Sequence, residues 1–197
     1  MKSKYPGVKN GQVEATINKM GGLSMLNCFL SGKLNLEWVV WKTITLGSNN
    51  ARPGDYPARL ESRPCWLGDQ FIGKRYVCEA LAKIVTISVG KIDLVKLTGT
   101  DLGFSGGGVS RAKICNQAMT FGLQMCPWAV APELVLQFTR EEEGEYACIA
   151  MEPILGQCVF NVANWWRSVP CRLELAESSD GSMFSTLIPW VFVKPKK

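Results

Sequence analysis

Apolar residues along this chain change their spacing as one reads from the first residue to the last. Val13, Ile17 and Met20 recur at i, i+4 and i+7, which predicts a short amphipathic helix stopped by Gly21-Gly22. A second short apolar segment runs from Leu23 to Leu30. Leu36 to Leu46 (LEWVVWKTITL) is rich in β-branched and aromatic residues and reads as a strand. Gly47 to Pro64 holds Asn49-Asn50, Pro53-Gly54 and two further prolines, and reads as a long surface loop. Asp69 can cap a helix to about Lys83 whose apolar stripe is Ile72, Val77, Leu81 and Ile84. Val85 to Leu97 looks like strand, broken at Gly90-Lys91. After Gly106-Gly107-Gly108, Ser110 is placed to cap a helix carrying Ile114, Ala118 and Phe121 on one face, with Gly122 as its C′ glycine.

From Glu133 the spacing becomes strand-like. Leu134, Leu136 and Phe138 alternate with Val135, Gln137 and Thr139. Arg140 to Glu145 is expected to be a hairpin loop and Tyr146 to Ile154 its return strand. Val159 to Val162, Arg172 to Leu175 and Met183 to Val193 complete the strand candidates. Helices in the N-terminal part and middle, followed by antiparallel strands toward the C-terminus, predict an α+β fold. Its 197 residues suit a single domain with an N-terminal helical and strand part over 1–90 and a second part over 91–197.

Composition narrows the chemistry. The chain has no histidine. That removes the usual general base near neutral pH, the Ser-His and Cys-His nucleophile pairs and the commonest transition-metal ligand. Eight cysteines include no Cys-x-x-Cys pair, and several lie in apolar runs, such as Cys148 in YACIAM, as small buried hydrophobes do. No catalytic residue, metal or cofactor is expected. The net charge of +5 is spread along the chain and interrupted by Glu141-Glu142-Glu143, which argues against a nucleic-acid partner. The N-terminal residues carry charge but no apolar h-region, so no signal peptide is expected, and no apolar run approaches the roughly 20 residues of a membrane span. Localisation stays open between the cytoplasm and surface display by another route. Gly103 to Ser110 (GFSGGGVS) lacks the Gly-Lys-Ser/Thr of a P-loop and the dinucleotide-binding pattern, and reads as a linker. Glu133, Glu145 and Glu152 are candidates for paired-carboxylate chemistry. The alternative function is therefore a hydrolase centred on Glu152, which lies in the apolar run IAMEPI; a further alternative is a basic nucleic-acid-binding module.

The C-terminal region is distinctive. Asn161 to Ser168 (NVANWWRS) sets two adjacent tryptophans among small polar residues and an arginine, a composition found in binding hot spots. Ala176 to Phe184 (AESSDGSMF) is a small-residue loop.

Leu102-Gly103-Phe104, Gly122 to Pro127 (GLQMCP), Pro132 to Phe138 (PELVLQF), Glu145 to Ile154 (EYACIAMEPI) and Pro189 to Lys197 (PWVFVKPKK) together resemble a family of microbial proteins of about this length. Its members end in a fixed aromatic strand and a basic tail, preceded by a segment that varies between copies. The layout is similar to the variable proteins of diversity-generating retroelements, archaeal and candidate-lineage bacterial ones included. The resemblance spans about Ile92 to Lys197. It implies a C-type-lectin-like fold for 91–197, a hypervariable ligand-binding region at about 156–190, and a macromolecular or cell-surface target, expected to be a protein. The ligand-binding candidates are Asn161, Ala163, Asn164, Arg167, Ser168, Arg172, Ser182, Phe184, Ser185 and Thr186. Trp165 and Trp166, not reachable from an Asn codon by adenine replacement, are expected to be scaffold.

Overall fold

A computed structural model describes residues 38–47, 52, 54–63, 65–68, 73–85, 89–138, 145–164, 171–179 and 181–196, with the backbone alone at Asn164. All of these lie in one compact unit, Trp38–Lys197. The expected helix at Val13 to Met20, the segment Leu23 to Leu30, Trp165-Trp166 and most of the loop Arg140 to Glu145 lie outside the described residues.

The fold is mixed α+β. Seven strands, β1 (Lys42–Leu46), β2 (Cys65–Leu67), β3 (Gly90–Thr98), β4 (Glu145–Ile149), β5 (Cys158–Asn164), β6 (Cys171–Glu177) and β7 (Pro189–Lys194), form one sheet in the order β1-β3-β7-β4-β5-β6-β2. Among the described residues four helices accompany it: α1 (Tyr56–Glu61), α2 (Lys74–Ala82), α3 (Arg111–Thr120) and α4 (Val130–Leu136). The sheet is mixed rather than purely antiparallel. β4 pairs with β7, and β2 with β6, in parallel.

Directly opposed residues share a face, so the register divides the side chains into two sets. Leu94, Val191, Val193, Ala147, Ile149, Phe160, Val162, Leu173 and Leu175 point to one side. They pack there with Tyr56 and Leu60 of α1, Val77 and Leu81 of α2, and Leu134 and Val135 of α4. Val95, Phe192, Trp190 and Cys148 point to the other side, where Ile114, Cys115 and Ala118 of α3 join Leu102, Val109 and Phe184. β7 lies inside the sheet and is covered on both sides, which explains its unbroken apolar run: Trp190, Val191 and Phe192 are all fully buried.

Several expectations fail. The segment from Glu133 to Phe138 is not a strand; residues 130–136 form α4 and all seven are buried. With every side chain covered, no polar face remains to show a helical period. Pro132 sits in the first turn, where no backbone N–H is needed. Secondly, the turn-rich stretch 47–64 contains α1, which buries Tyr56 and Leu60 at i, i+4 with a proline at its start. The expected strand Met183 to Val193 begins only at Pro189, and the expected return strand Tyr146 to Ile154 ends at Ile149 and pairs with β5 and β7 instead of with residues 133–138. α3 begins just after Ser110, whose backbone is extended although its side chain makes no capping bond. Gly122 takes φ 83°, as a C′ glycine does. α2 starts at Lys74, later than a cap at Asp69 implies.

Candidate functional site

The segment leading into β7 is built from an alternation of anchors and exposed side chains. Ser179 and Ser182 close a turn, with their hydroxyl oxygens 2.9 Å apart and the Ser182 N–H donating to the Ser179 carbonyl. Beyond it Met183 is 63 % exposed, Phe184 8 %, Thr186 6 % and Leu187 74 %, and Ser185 is exposed. Phe184 exchanges both backbone hydrogen bonds with Val109, at 2.8 and 2.9 Å. Its ring meets Trp190 edge to face, with centroids 4.9 Å apart. The Thr186 hydroxyl donates to the Gly106 carbonyl at 2.9 Å, and its own carbonyl accepts from the Thr100 N–H at 3.1 Å.

This gives the glycine-rich segment a packing role. A Cβ on Gly99 would stand 3.1 Å from the Thr186 Cα, and one on Gly108 would stand 3.3 Å from the Met183 Cβ. Small residues there let two loops run side by side.

A second group of candidates meets on the sheet, on the side that carries Trp190. Asn161 opposes Cys148 and Glu174, while Ala163 opposes Tyr146 and Arg172. Arg172 in turn opposes Trp66 of the edge strand β2. One row across four strands therefore reads Tyr146, Ala163, Arg172, Trp66. The Arg172 guanidinium lies over the Trp66 ring, 5.3 Å from its centroid, and bonds Glu174 at 2.8 Å. Trp66 is 54 % exposed. Burial, then the neighbouring Cys148, pushes the Tyr146 phenol up. Asn161 Oδ1 and Arg172 Nε are buried without a hydrogen-bond partner.

Compared with known proteins, the chain matches no family model, no curated protein and no solved structure. Its site is therefore read from its own geometry.

The ten ligand-binding candidates divide by position. Ser185 is exposed, Ser182 and Arg172 are half-buried, and all three are available at the surface. Asn161, Ala163, Phe184 and Thr186 are buried, so their side chains frame the surface rather than form it. Asn164 ends β5, and Arg167 and Ser168 lie outside the described residues. Sequence reasoning passed over Met183 and Leu187, the most exposed apolar residues of the segment, and Trp66, Tyr146 and Glu174 on the sheet. The alternation in MFSTL was a signal for the first two, but hydropathy alone does not say which side of such a segment turns inward.

The carboxylates do not converge. Glu152 is exposed, contrary to the burial expected from its apolar neighbours; its carbonyl, not its side chain, accepts from Trp128 Nε1. Glu145 pairs with Lys96, which lies over the Trp41 ring. Among the described residues Glu133 is the fully buried carboxylate, accepting from the Tyr56 hydroxyl at 3.2 Å, Gln137 Nε2 at 3.0 Å and Arg59 at 3.4 Å. Gln137 also bonds the N–H and carbonyl of Thr45 in β1, so this network ties α1, α4 and the sheet edge together. Among the described residues no three His, Cys, Asp or Glu side chains group as a metal site, and no helix is long and apolar enough to cross a membrane.

Proposed function

We propose that this chain is a target-binding protein that displays a diversified surface, of the C-type-lectin-like kind carried by diversity-generating retroelements. Met183, Ser185 and Leu187 form its exposed strip, with Arg172 on the same side of the sheet. The observation that carries the reading is the alternation over 183–187. Phe184 and Thr186 fix the backbone through buried contacts, while the residues between them make no demand on the core. A binding surface that changes between copies needs that separation, because loop residues can vary freely only where a rigid scaffold holds the loop. The partner is a macromolecule, expected to be a protein, engaged by side chains without catalysis. The chain contains no histidine to serve as a general base near pH 7.

The deciding test is genomic. A near-copy of the DNA encoding the C-terminal segment, next to a reverse transcriptase and differing mainly at adenines, is the expected finding. A locus with no such copy removes the retroelement. A second test concerns display itself: libraries randomised at 183, 185 and 187 are expected to stay folded and yield binders to immobilised proteins. Libraries that unfold refute the separation of strip and scaffold.

A further inference from the structure

Cys65 and Cys171 are register partners in the parallel pairing of β2 with β6. Paired strands lie about 4.8 Å apart, inside the range of roughly 4.4–6.8 Å that Cα atoms span in disulfides. Directly opposed residues project from the same face, and both cysteines pack against the same apolar cluster while remaining half-buried. β2 has only three residues and forms one edge of the sheet, so its hold on β6 is short. The next pair in register is Trp66 and Arg172, whose stacking depends on β2 staying in place.

We propose that Cys65 and Cys171 are a disulfide-forming pair that staples β2 to β6, with a low-molecular-weight disulfide such as glutathione disulfide as oxidant. One cysteine thiolate attacks the oxidant, forming a mixed disulfide and expelling one glutathione thiolate. The second cysteine thiolate then attacks the protein sulfur of that mixed disulfide, and the second glutathione leaves. Two protein thiols lose two electrons and two protons, and the oxidant is reduced to two thiols. Closure belongs to folding rather than to the finished fold. Burial, with Cys171 beside it, pushes the Cys65 thiol up to about 12, so its thiolate is scarce once the strands are packed.

The test is refolding of the full chain in glutathione buffer, oxidised against reduced, with thiol counting, peptide mapping and thermal unfolding. The expected result is a Cys65–Cys171 cross-linked peptide and the loss of two thiols. A staple closing a loop of about a hundred residues is expected to raise Tm by roughly 5–15 °C. Both effects vanish in Cys65→Ser and in Cys171→Ser and persist in Cys148→Ser. Absence of that peptide, pairing of other cysteines such as Cys115 with Cys126, or an oxidised chain no more stable than the reduced one overturns the proposal.

Discussion

The two sides of the sheet are built on different terms. One side is covered by α1, α2 and α4 and is apolar over most of β7, β4, β5 and β6, with the half-buried Lys96–Glu145 pair beside Val191 and Ala147; Glu133, the one buried carboxylate among the described residues, is held there in a hydrogen-bonded network. The other side is apolar only where α3 and Phe184 meet β3, β7 and β4. Toward β2 it carries Tyr146, Asn161, Arg172, Glu174 and Trp66; Asn161 Oδ1 and Arg172 Nε there are buried without partners, as is Trp190 Nε1 in the apolar part of the same side. Unsatisfied buried polar groups lower stability, so a sheet surface that retains them is not organised for stability alone. The contrast separates a side that makes the fold from the side that carries the proposed binding residues.

The comparison breaks most easily at Phe160, buried beneath the helices. Phe160→Ala is expected to cost about 3–5 kcal/mol by chemical denaturation; a loss under 1 kcal/mol would mean that this side is loosely packed. Alkaline pH acts on both sides. In the reduced chain burial raises Cys65 and Cys148 to about 12 and Cys115 to about 11. Unfolded thiols titrate near about 8.5, so the folded chain holds these protons more tightly. Their contribution is fully present below that pH and is lost as pH rises toward about 12, which a Tm profile over this window will show as a steady fall. A flat profile contradicts it.

Glu133→Gln keeps the shape but removes a charge-assisted acceptor of Tyr56 and Arg59, and is expected to cost about 1–3 kcal/mol. On the opposite side Asn161→Leu removes an oxygen that has no partner. Its stability is expected to stay within about 1 kcal/mol of the parent or to rise. A large loss there would show Asn161 to be structural. The smallest effect is expected on the exposed strip. Changing Met183, Ser185 and Leu187 together is expected to shift stability by about 0.5 kcal/mol or less per site, read as an almost unchanged Tm. A drop of many degrees would place the strip in the core and end the display reading.

How much of this was legible beforehand varied with burial. α3, β5, β6 and β7 stood out because each shows a clear period, a flanking glycine or a dense β-branched and aromatic run. α4 was misread for a physical reason: VAPELVL is covered on every side, and an all-apolar run carries no period. α1 was hidden by its setting, since Pro57 and the turn residues before it suggest a loop; only the pair Tyr56 and Leu60 signalled a helix. At the site, Arg172, Ser182 and Ser185 came from the variable region that the resemblance implies, whereas Trp66, more than a hundred positions before Arg172, had no local signal at all.

The sequence by itself determined the α+β class, the position of the buried aromatic strand PWVFV, the turn at Gly122 and the lack of histidine chemistry. These follow from local spacing and residue type. Tertiary structure alone decided the strand order, the parallel placement of β2 against β6, the burial of Glu133 rather than Glu152, and which residues of 183–187 face outward. Each of those depends on contacts between residues far apart in the chain, where register and coverage are set by the packed neighbours and not by the segment itself.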